Sequence, residues 1–337
     1  MNTFRLTRTL PADATVAALR GDVLHGLTST PKTLPPKWFY DAQGSELFEA
    51  ITQIPEYPVW RAELGLLQQH AGDIAALTGA RTLIELGSGA YSAKTRFLLD
   101  ALTGLHTYVP VDVSESALRQ AGQALIAERP GLTVHALIAD FTSVLALPDT
   151  PGPKLMAFLG STIGNLLPAE RAAFLSGLSA LLSPGDALLL GADLVKDESA
   201  LVAAYDDPAG LSSDFNKNVL RVINEQLDAD FDLDAFEHVA LFDPVHEWVE
   251  MRLRSRVDQT VKIHALDLAV DFAAGEDLRT ETSAKFRREG LAAELASAGL
   301  ELARWFSGPG QEYGLALAVP RLAGADEPAS RITACVS

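Results

Sequence analysis

Between residues 81 and 195 apolar runs alternate with helix-patterned stretches, and this alternation restricts the fold more than any other feature of the chain. The runs are RTLIELG (81–87), TYVPVDV (107–113), TVHALIADF (133–141), KLMAFLGS (154–161) and DALLLGADLV (186–195). Between them lie KTRFLLDALTG, SESALRQAGQALIAER and PAERAAFLSGLSALLSP, whose apolar residues recur at helical spacing. Apolar strands without polar alternation are buried on both faces, so the series predicts a βαβ architecture, a parallel sheet with helices on each side.

The first of these strands ends in a glycine turn, Gly87-Ser88-Gly89-Ala90-Tyr91-Ser92. Glycine there lets a ligand approach the backbone. A dinucleotide site asks for a third glycine where Ser92 stands, and a phosphate loop asks for Gly-Lys-Ser/Thr, which does not follow. A nucleoside without phosphates asks for less: backbone room at the turn, an acid after the second strand for a ribose diol, and a contact for the base after the third. Asp112 closes YVPVD, and Asp140-Phe141 close HALIADF. That order fits S-adenosylmethionine, although an aspartate after a strand is more often a loop residue or helix cap.

The formal charge of −17 opposes a nucleic-acid partner, because phosphate backbones would be repelled at long range. The single cysteine, Cys335, excludes an intrachain disulfide and a zinc–cysteine cluster. The histidines, His135 among them, show no H-x-x-x-H pair, so no metal site is expected. No run approaches the roughly 18 apolar residues of a membrane span, and the first residues lack a signal-peptide core, so a soluble cytoplasmic protein is expected.

Two segments depart from the alternation. Residues 13–60 hold TPKTLPPKWFYDAQGSELFEAITQIPEYP, which reads as neither crossover helix nor buried strand. Residues 197–286 begin with helical stretches, DESALVAAYDD and DFNKNVLRVINEQL. They then alternate with period two around Val249, Met251, Leu253 and Val257, as antiparallel strands with one wet face do. GLAAELASAGL, ELARWFS and EYGLALAVP read as a helix and two strands that rejoin the parallel sheet. The expected fold is α/β, a Rossmann-like class I methyltransferase sheet (61–196 plus 287–320) with a discontinuous second α+β substrate domain (13–60 plus 197–286) and a flexible tail (321–337).

The stretches GLTSTPKTLPPKWFYDAQGSELFEAITQIPEY, FLGSTIGNLLPAERAAFL, LLLGADLVKD, NEQLDADFDLDAFEHVALF and RTETSAKF, in this order, resemble the histidine Nα-methyltransferases of ergothioneine biosynthesis. The similarity extends from about residue 13 to 320. It implies S-adenosylmethionine as cofactor, L-histidine as substrate, trimethylation of the α-amine to hercynine, and a monomer without nucleic-acid or membrane partners.

By the same resemblance, Gly87, Ser88, Gly89, Lys94, Asp112, Asp140 and Phe141 bind the donor, Asp112 at the ribose and Asp140 at the adenine amine. Asn165 holds the α-amine and carboxylate, with Tyr205 assisting at the carboxylate. Tyr40 and Tyr57 line the substrate pocket and, with Asn165, make up the implied catalytic set. Phe48, Gly160, Thr162 and Met251 shape the pocket, and Glu281 and Ser283 read the imidazole nitrogens. The residues alone leave plainer roles open: Asn165 as a cap for a helix near Pro168, the tyrosines as packing, Tyr205 on a helix, and Glu281 and Ser283 on an exposed strand face.

A sulfonium donor carries its own activation, which is why no nucleophilic triad is needed. GSGAYSAKTR is one residue longer than the family's usual loop, and Tyr57 is followed by Pro58-Val59-Trp60-Arg61 where the family commonly has Pro-Thr-Arg. The other readings are a methyltransferase for a related aromatic amino acid such as a tryptophan derivative, a nucleic-acid methyltransferase, and a donor-binding protein without catalysis. STIGN stands where an amino-methylating DNA enzyme would carry an N-P-P-Y type motif, which disfavours the second.

Overall fold

The computed structural model describes residues 3–11, 13–89, 93–142, 145–310 and 312–321. Expectations for Ala90, Tyr91, Ser92, Cys335 and the tail beyond 321 lie outside the described residues. The chain begins with strand β1 (Thr3–Arg8) and helices α1 (Ala14–Thr28), α2 (Ala42–Ile51) and α3 (Val59–Thr78). The alternating region follows: β2 (Thr82–Leu86), α4 (Ala93–Ala101), β3 (Thr107–Asp112), α5 (Glu115–Glu128), β4 (Thr133–Ile138), β5 (Lys154–Phe158), α6 (Pro168–Leu181) and β6 (Ala187–Asp193).

An inserted region carries α7 (Glu198–Ala203), α8 (Leu211–Leu227), β7 (Phe236–Asp243), β8 (Trp248–Ser255), β9 (Gln259–Ile263), β10 (Leu268–Phe272) and β11 (Asp277–Ala284). The chain then returns through α9 (Arg288–Ser297), β12 (Leu300–Ser307) and β13 (Tyr313–Pro320).

The main sheet has eight strands in the order β1-β4-β3-β2-β5-β6-β13-β12. The five strands read from the alternating runs form its parallel centre, and every residue of β2 is buried, as the unbroken apolar pattern requires. Leu83 shares one buried cluster with Leu66, Leu67, Ile74 and Leu98 of α3 and α4, while its neighbours Ile84 and Leu86 belong to another with Phe174, Leu175 and Leu291 of α6 and α9. β12 and β13 do rejoin the sheet, but as a hairpin, so β13 lies antiparallel to β6. β1 was not legible: TFRLTR is a short, half-exposed edge strand with two arginines, the composition that discourages further pairing.

The 13–60 segment is more helical than its prolines suggest, since α1 and α2 form on either side of the proline-rich turn. The turn is bound to the inserted region: Leu34 N–H donates to Arg279 O, and Arg279 N–H to Lys32 O. Helix α8 serves as the spine of that region. Its wholly buried Asn218 donates to Phe39 O and Asp41, while Asn216 donates to Arg252 O and accepts from Thr280 Oγ1. Buried amides with several partners each fix α8 against both the aromatic segment and the β7-β8-β11 sheet.

The period-two reading of this sheet needs two corrections. Val249, Met251 and Leu253 are buried as expected, but Val257 lies beyond the end of β8 and is exposed. The opposite face is not simply wet. Glu250 is only 4% exposed because Arg252, Arg279 and Trp248 Nε1 close over it, and Asp277 binds Arg252 and Arg254. Charges pointing outward from one strand thus neutralise those from the next. One apolar core runs from Leu83, Leu155 and Leu189 of the main sheet to Phe215, Phe236 and Met251 of the insertion, so the two regions pack on each other without a break.

Candidate active site

The carboxyl ends of the parallel strands carry the glycine turn and the loops that face the insertion. At the turn, Gly87 and Gly89 have φ of +69° and +55°, left-handed values that glycine takes without strain. Gly89 N–H donates to Asp112 Oδ2 at 2.8 Å, and Ser114 N–H to Oδ1 at 2.9 Å. The turn after β2 is therefore held by the acid that ends β3. Ser88 is 7% exposed, and its hydroxyl has no hydrogen-bond partner among the described residues. Asp140 Oδ1 accepts from the N–H and hydroxyl of Thr142. The Phe141 ring packs on Phe158 and Phe174 and lies so near Gly87 that a Cβ there would meet it at 3.3 Å.

Lys94 projects from α4 toward the next loop. Its Nζ lies 2.5 Å from Glu63 Oε2, and Glu63 also accepts from Gly160 N–H at 2.8 Å and Tyr313 Oη at 2.6 Å. The Glu63 side chain is wholly buried. This carboxylate joins α3, α4, β13 and the loop after β5, and sequence reading missed it because its partners are far away in the chain.

That loop passes through two successive left-handed residues, Gly160 at φ +78° and Ser161 at φ +57°, of which the serine is strained. Serine rarely adopts such a value, and here the conformation is held by Asp193 N–H donating to Ser161 Oγ. The turn carries Thr162, whose hydroxyl donates to Leu159 O, and Asn165 at the end of a short 3-10 segment, Thr162–Asn165. Asn165 does not cap α6, whose N-cap is Leu167. Its amide donates instead to Glu281 Oε1 at 2.7 Å and to Thr282 O at 3.0 Å. Both partners are acceptors, so the NH2 faces β11 and Oδ1 is left without a protein partner among the described residues.

Glu281 reaches Asn165 because β11 carries a bulge between Arg279 and Glu281, which turns the following residues relative to β8. Beyond it Glu281, Ser283 and Lys285 alternate on one face. Ser283 Oγ lies 2.8 Å from Tyr205 Oη, and Lys285 Nζ donates to both hydroxyls and pairs with Asp193 Oδ2 at 2.9 Å. Tyr205 follows α7 rather than lying on it. Lys285 and Asp193 were also missed, although the period that joins Glu281 to Ser283 extends to 285. Burial alone would lower the Lys285 pKa, but Asp193 and Tyr205 raise it above the usual lysine range, so the cation persists.

The opposite wall is aromatic. Phe48 stands between Tyr40 and Tyr57, Tyr57 meets Tyr205 edge-on, and Phe215 of α8 packs beneath Phe39, Tyr40 and Phe48. Tyr57 is buried and Tyr40 is half-exposed. Burial, then Tyr205, Tyr40, Glu281 and Asp193, push the Tyr57 phenol well above its ordinary pKa, so it remains a neutral donor. Met251 sits beside Glu281 in the β8–β11 register and is buried.

Burial also raises Glu281 to about 7, against hydrogen bonding from Asn165 and the charge of Lys285. The folded protein then binds more protons here than the unfolded chain between pH 4.5 and about 7. Its contribution is stabilising below that window and is lost as pH rises through it. Thermal denaturation at pH 5 and 7.5 is expected to show a smaller Tm decrease in Glu281→Gln than in the unaltered protein.

Among the described residues no group of three or more His, Cys, Asp or Glu is arranged to hold a metal, and no helix is long and apolar enough to cross a membrane. The family model for histidine-specific, SAM-dependent methyltransferases matches residues 19–320. A histidine N-alpha-methyltransferase of Mycolicibacterium smegmatis is 54% identical over 320 residues, covering 94% of this chain and 99% of that one. One from Mycobacterium tuberculosis is 51% identical, covering 92% and 97%. Ergothioneine biosynthesis protein 1 of Neurospora crassa is 28% identical over 85% of this chain and 33% of its own length.

Proposed function

Since the chain belongs to the family of histidine-specific, S-adenosylmethionine-dependent methyltransferases, we propose that it methylates the α-amine of L-histidine three times, giving hercynine for ergothioneine biosynthesis. The observation that carries this is the 2.7 Å bond between Asn165 and Glu281. It links the loop after β5, beside the glycine turn, to the inserted strand, so a group for the amine and a group for the ring face one space. On this reading residues 61–196 plus 287–320 bind the donor and residues 13–60 plus 197–286 the amino acid, in a cytoplasmic monomer that acts on a small molecule.

The residues at the glycine turn suit the donor. The Ser88 hydroxyl, without a partner among the described residues, and the Gly87 and Gly89 backbone offer polar contacts to its amino-acid part, with Lys94 nearby. Each carboxylate oxygen accepts about two hydrogen bonds, so Asp112 keeps capacity for a ribose diol beside its bonds to Gly89 and Ser114. Asp140 and the Phe141 ring are assigned to the base. When bound, S-adenosylmethionine supplies a methyl group already activated on a sulfonium.

The protein's part is then alignment and exclusion of water. Asn165 Oδ1, with its NH2 committed to β11, accepts from the substrate amine. Tyr205 meets the carboxylate, Glu281 and Ser283 the ring, and Tyr40, Tyr57, Phe48, Thr162 and Met251 enclose them. As methyl groups accumulate, the amine loses donors, so the hold must rest on ring and carboxylate while the space at nitrogen stays open.

Gly160 supplies that space. In Gly160→Ala the added methyl would lie 3.4 Å from Thr162 Oγ1 and 3.8 Å from Lys94 Nζ, at a left-handed φ that costs about 1–2 kcal/mol. Product analysis is expected to show mono- and dimethylhistidine accumulating at the expense of the trimethyl product. The whole proposal is tested by mass spectrometry of histidine incubated with protein and donor. One, two and three added methyl groups are expected; unmodified histidine alongside a methylated tryptophan derivative would overturn the ring assignment.

A further inference from the structure

The hydrogen bonds around Lys285 can be counted to completion. A protonated lysine has three N–H donors, and a hydroxyl has one proton and two lone pairs. Lys285 is wholly buried, and its three donors are spent on Asp193 Oδ2, Tyr205 Oη and Ser283 Oγ at 2.9, 2.8 and 2.9 Å. The two hydroxyls also bond to each other at 2.8 Å, which consumes one of their two protons. Burial keeps the Tyr205 phenol protonated. While this triangle stands, Tyr205 and Ser283 together have one proton to offer a ligand.

Charge decides where that proton goes. Lys285 and Lys196 both bind Asp193, which makes the Tyr205 end of the pocket net positive, whereas Glu281 makes the other end negative. A substrate carboxylate belongs at the Tyr205 end. A carboxylate is a much stronger acceptor than a serine hydroxyl, so Tyr205 donates to it and Ser283 turns its own proton to Tyr205. Ser283 then has one lone pair on Lys285 and one facing the ring.

The geometry points to Lys285 as a specificity-determining positioning residue: by saturating the Tyr205–Ser283 pair it makes Ser283 an acceptor toward the substrate, so that histidine binds with one additional proton held between its ring and Glu281. A neutral imidazole has one N–H, and Ser283 takes it. The other nitrogen faces the Glu281 carboxylate, and two lone pairs repel unless a proton lies between them. With that proton in place every donor and acceptor in the set is paired, as buried polar networks require. The groups that face Glu281 are Asn165, Lys285, Tyr40, Tyr57 and Tyr205, with Asp193 behind Lys285. Asn165 donates to the other carboxylate oxygen, and the remaining donors that face Glu281 are spent or weakly acidic. This inference deepens the histidine reading and rests on it.

The test is binding of 3-(imidazol-4-yl)propionate, which keeps ring and carboxylate but has no α-amine to titrate, measured by calorimetry from pH 6.5 to 9 on the full chain. Above about pH 7 neither free ring nor free Glu281 holds the proton, so affinity is expected to fall toward tenfold per pH unit. Calorimetry in buffers of different ionisation enthalpy is expected to show uptake of one proton. Glu281→Gln, which places a permanent N–H opposite the second nitrogen, is expected to bind with no slope. Lys285→Met is expected to flatten the slope as well, because Ser283 and Tyr205 are then free to donate separately. Should Lys285→Met fail to fold, the Glu281→Gln comparison decides alone.

Affinity of the unaltered protein that is constant from pH 7 to 9, while histidine is still methylated, would overturn this inference alone. The same slope in Glu281→Gln as in the unaltered protein would overturn it too. Donor binding with no binding of imidazolepropionate or histidine at any pH would overturn the histidine reading and this inference together.

Discussion

Glu281→Ala is expected to raise KM for histidine by about 100-fold while changing donor affinity by no more than about twofold. Glu281 is a hydrogen-bonded charge, and removing such a partner costs about 1.5–3 kcal/mol, to which the loss of the Asn165 anchor adds. Of the residues assigned to the donor, Gly89 and Asp112 bond to each other across the loops of the main sheet, and Asp140 binds Thr142 beside it. Steady-state kinetics with calorimetry of the donor separate the two effects. Equal loss of both affinities would show that Glu281 holds the fold together rather than the ring.

Glu63→Ala is expected to lower Tm by about 4–7 °C, the equivalent of about 3–5 kcal/mol for a buried charge pair stripped of one partner in a chain of this length. Three donors converge on this carboxylate, and the Lys94 side chain is only 11% exposed, so water cannot replace it fully. The same substitution frees both Lys94 and the Gly160 loop, so donor and histidine affinity should weaken together, unlike the one-sided effect at Glu281. A Tm within a degree of the unaltered protein would mean that Lys94 finds another partner.

What the sequence revealed and what it hid have physical reasons. Strands β2 to β6 were legible because parallel strands covered on both faces are apolar throughout. The glycine turn and Asp112 were legible because a turn of positive φ and the acid that holds it follow directly from local strand ends. Residues that meet across the fold were a different matter. Asn165 and Glu281 were assigned by resemblance, since nothing local tells a residue after β5 that β11 will approach it. Glu63, Lys285 and Asp193 form buried pairs whose partners lie on separate elements; the alternation of Glu281 and Ser283 reaches Lys285 but says nothing of its partner on β6.

Edges and irregularities account for the remaining errors. A half-exposed strand such as β1 has neither an apolar run nor a clear alternation. Val257 continues the alternating pattern past the point where the backbone leaves the ladder. The buried Glu250 shows that charged residues at every second position need not face water when arginines of adjacent strand positions close over them.

On the proposed function, methyl donor and histidine meet between the glycine turn and β11. A crystal structure with both S-adenosylhomocysteine and histidine bound tests it most directly. Histidine is expected with its ring between Glu281 and Ser283 and its α-nitrogen beside Asn165, turned toward the sulfur. Histidine seated away from Asn165, or with its ring on the glycine-turn side and its amine at Glu281, would contradict it.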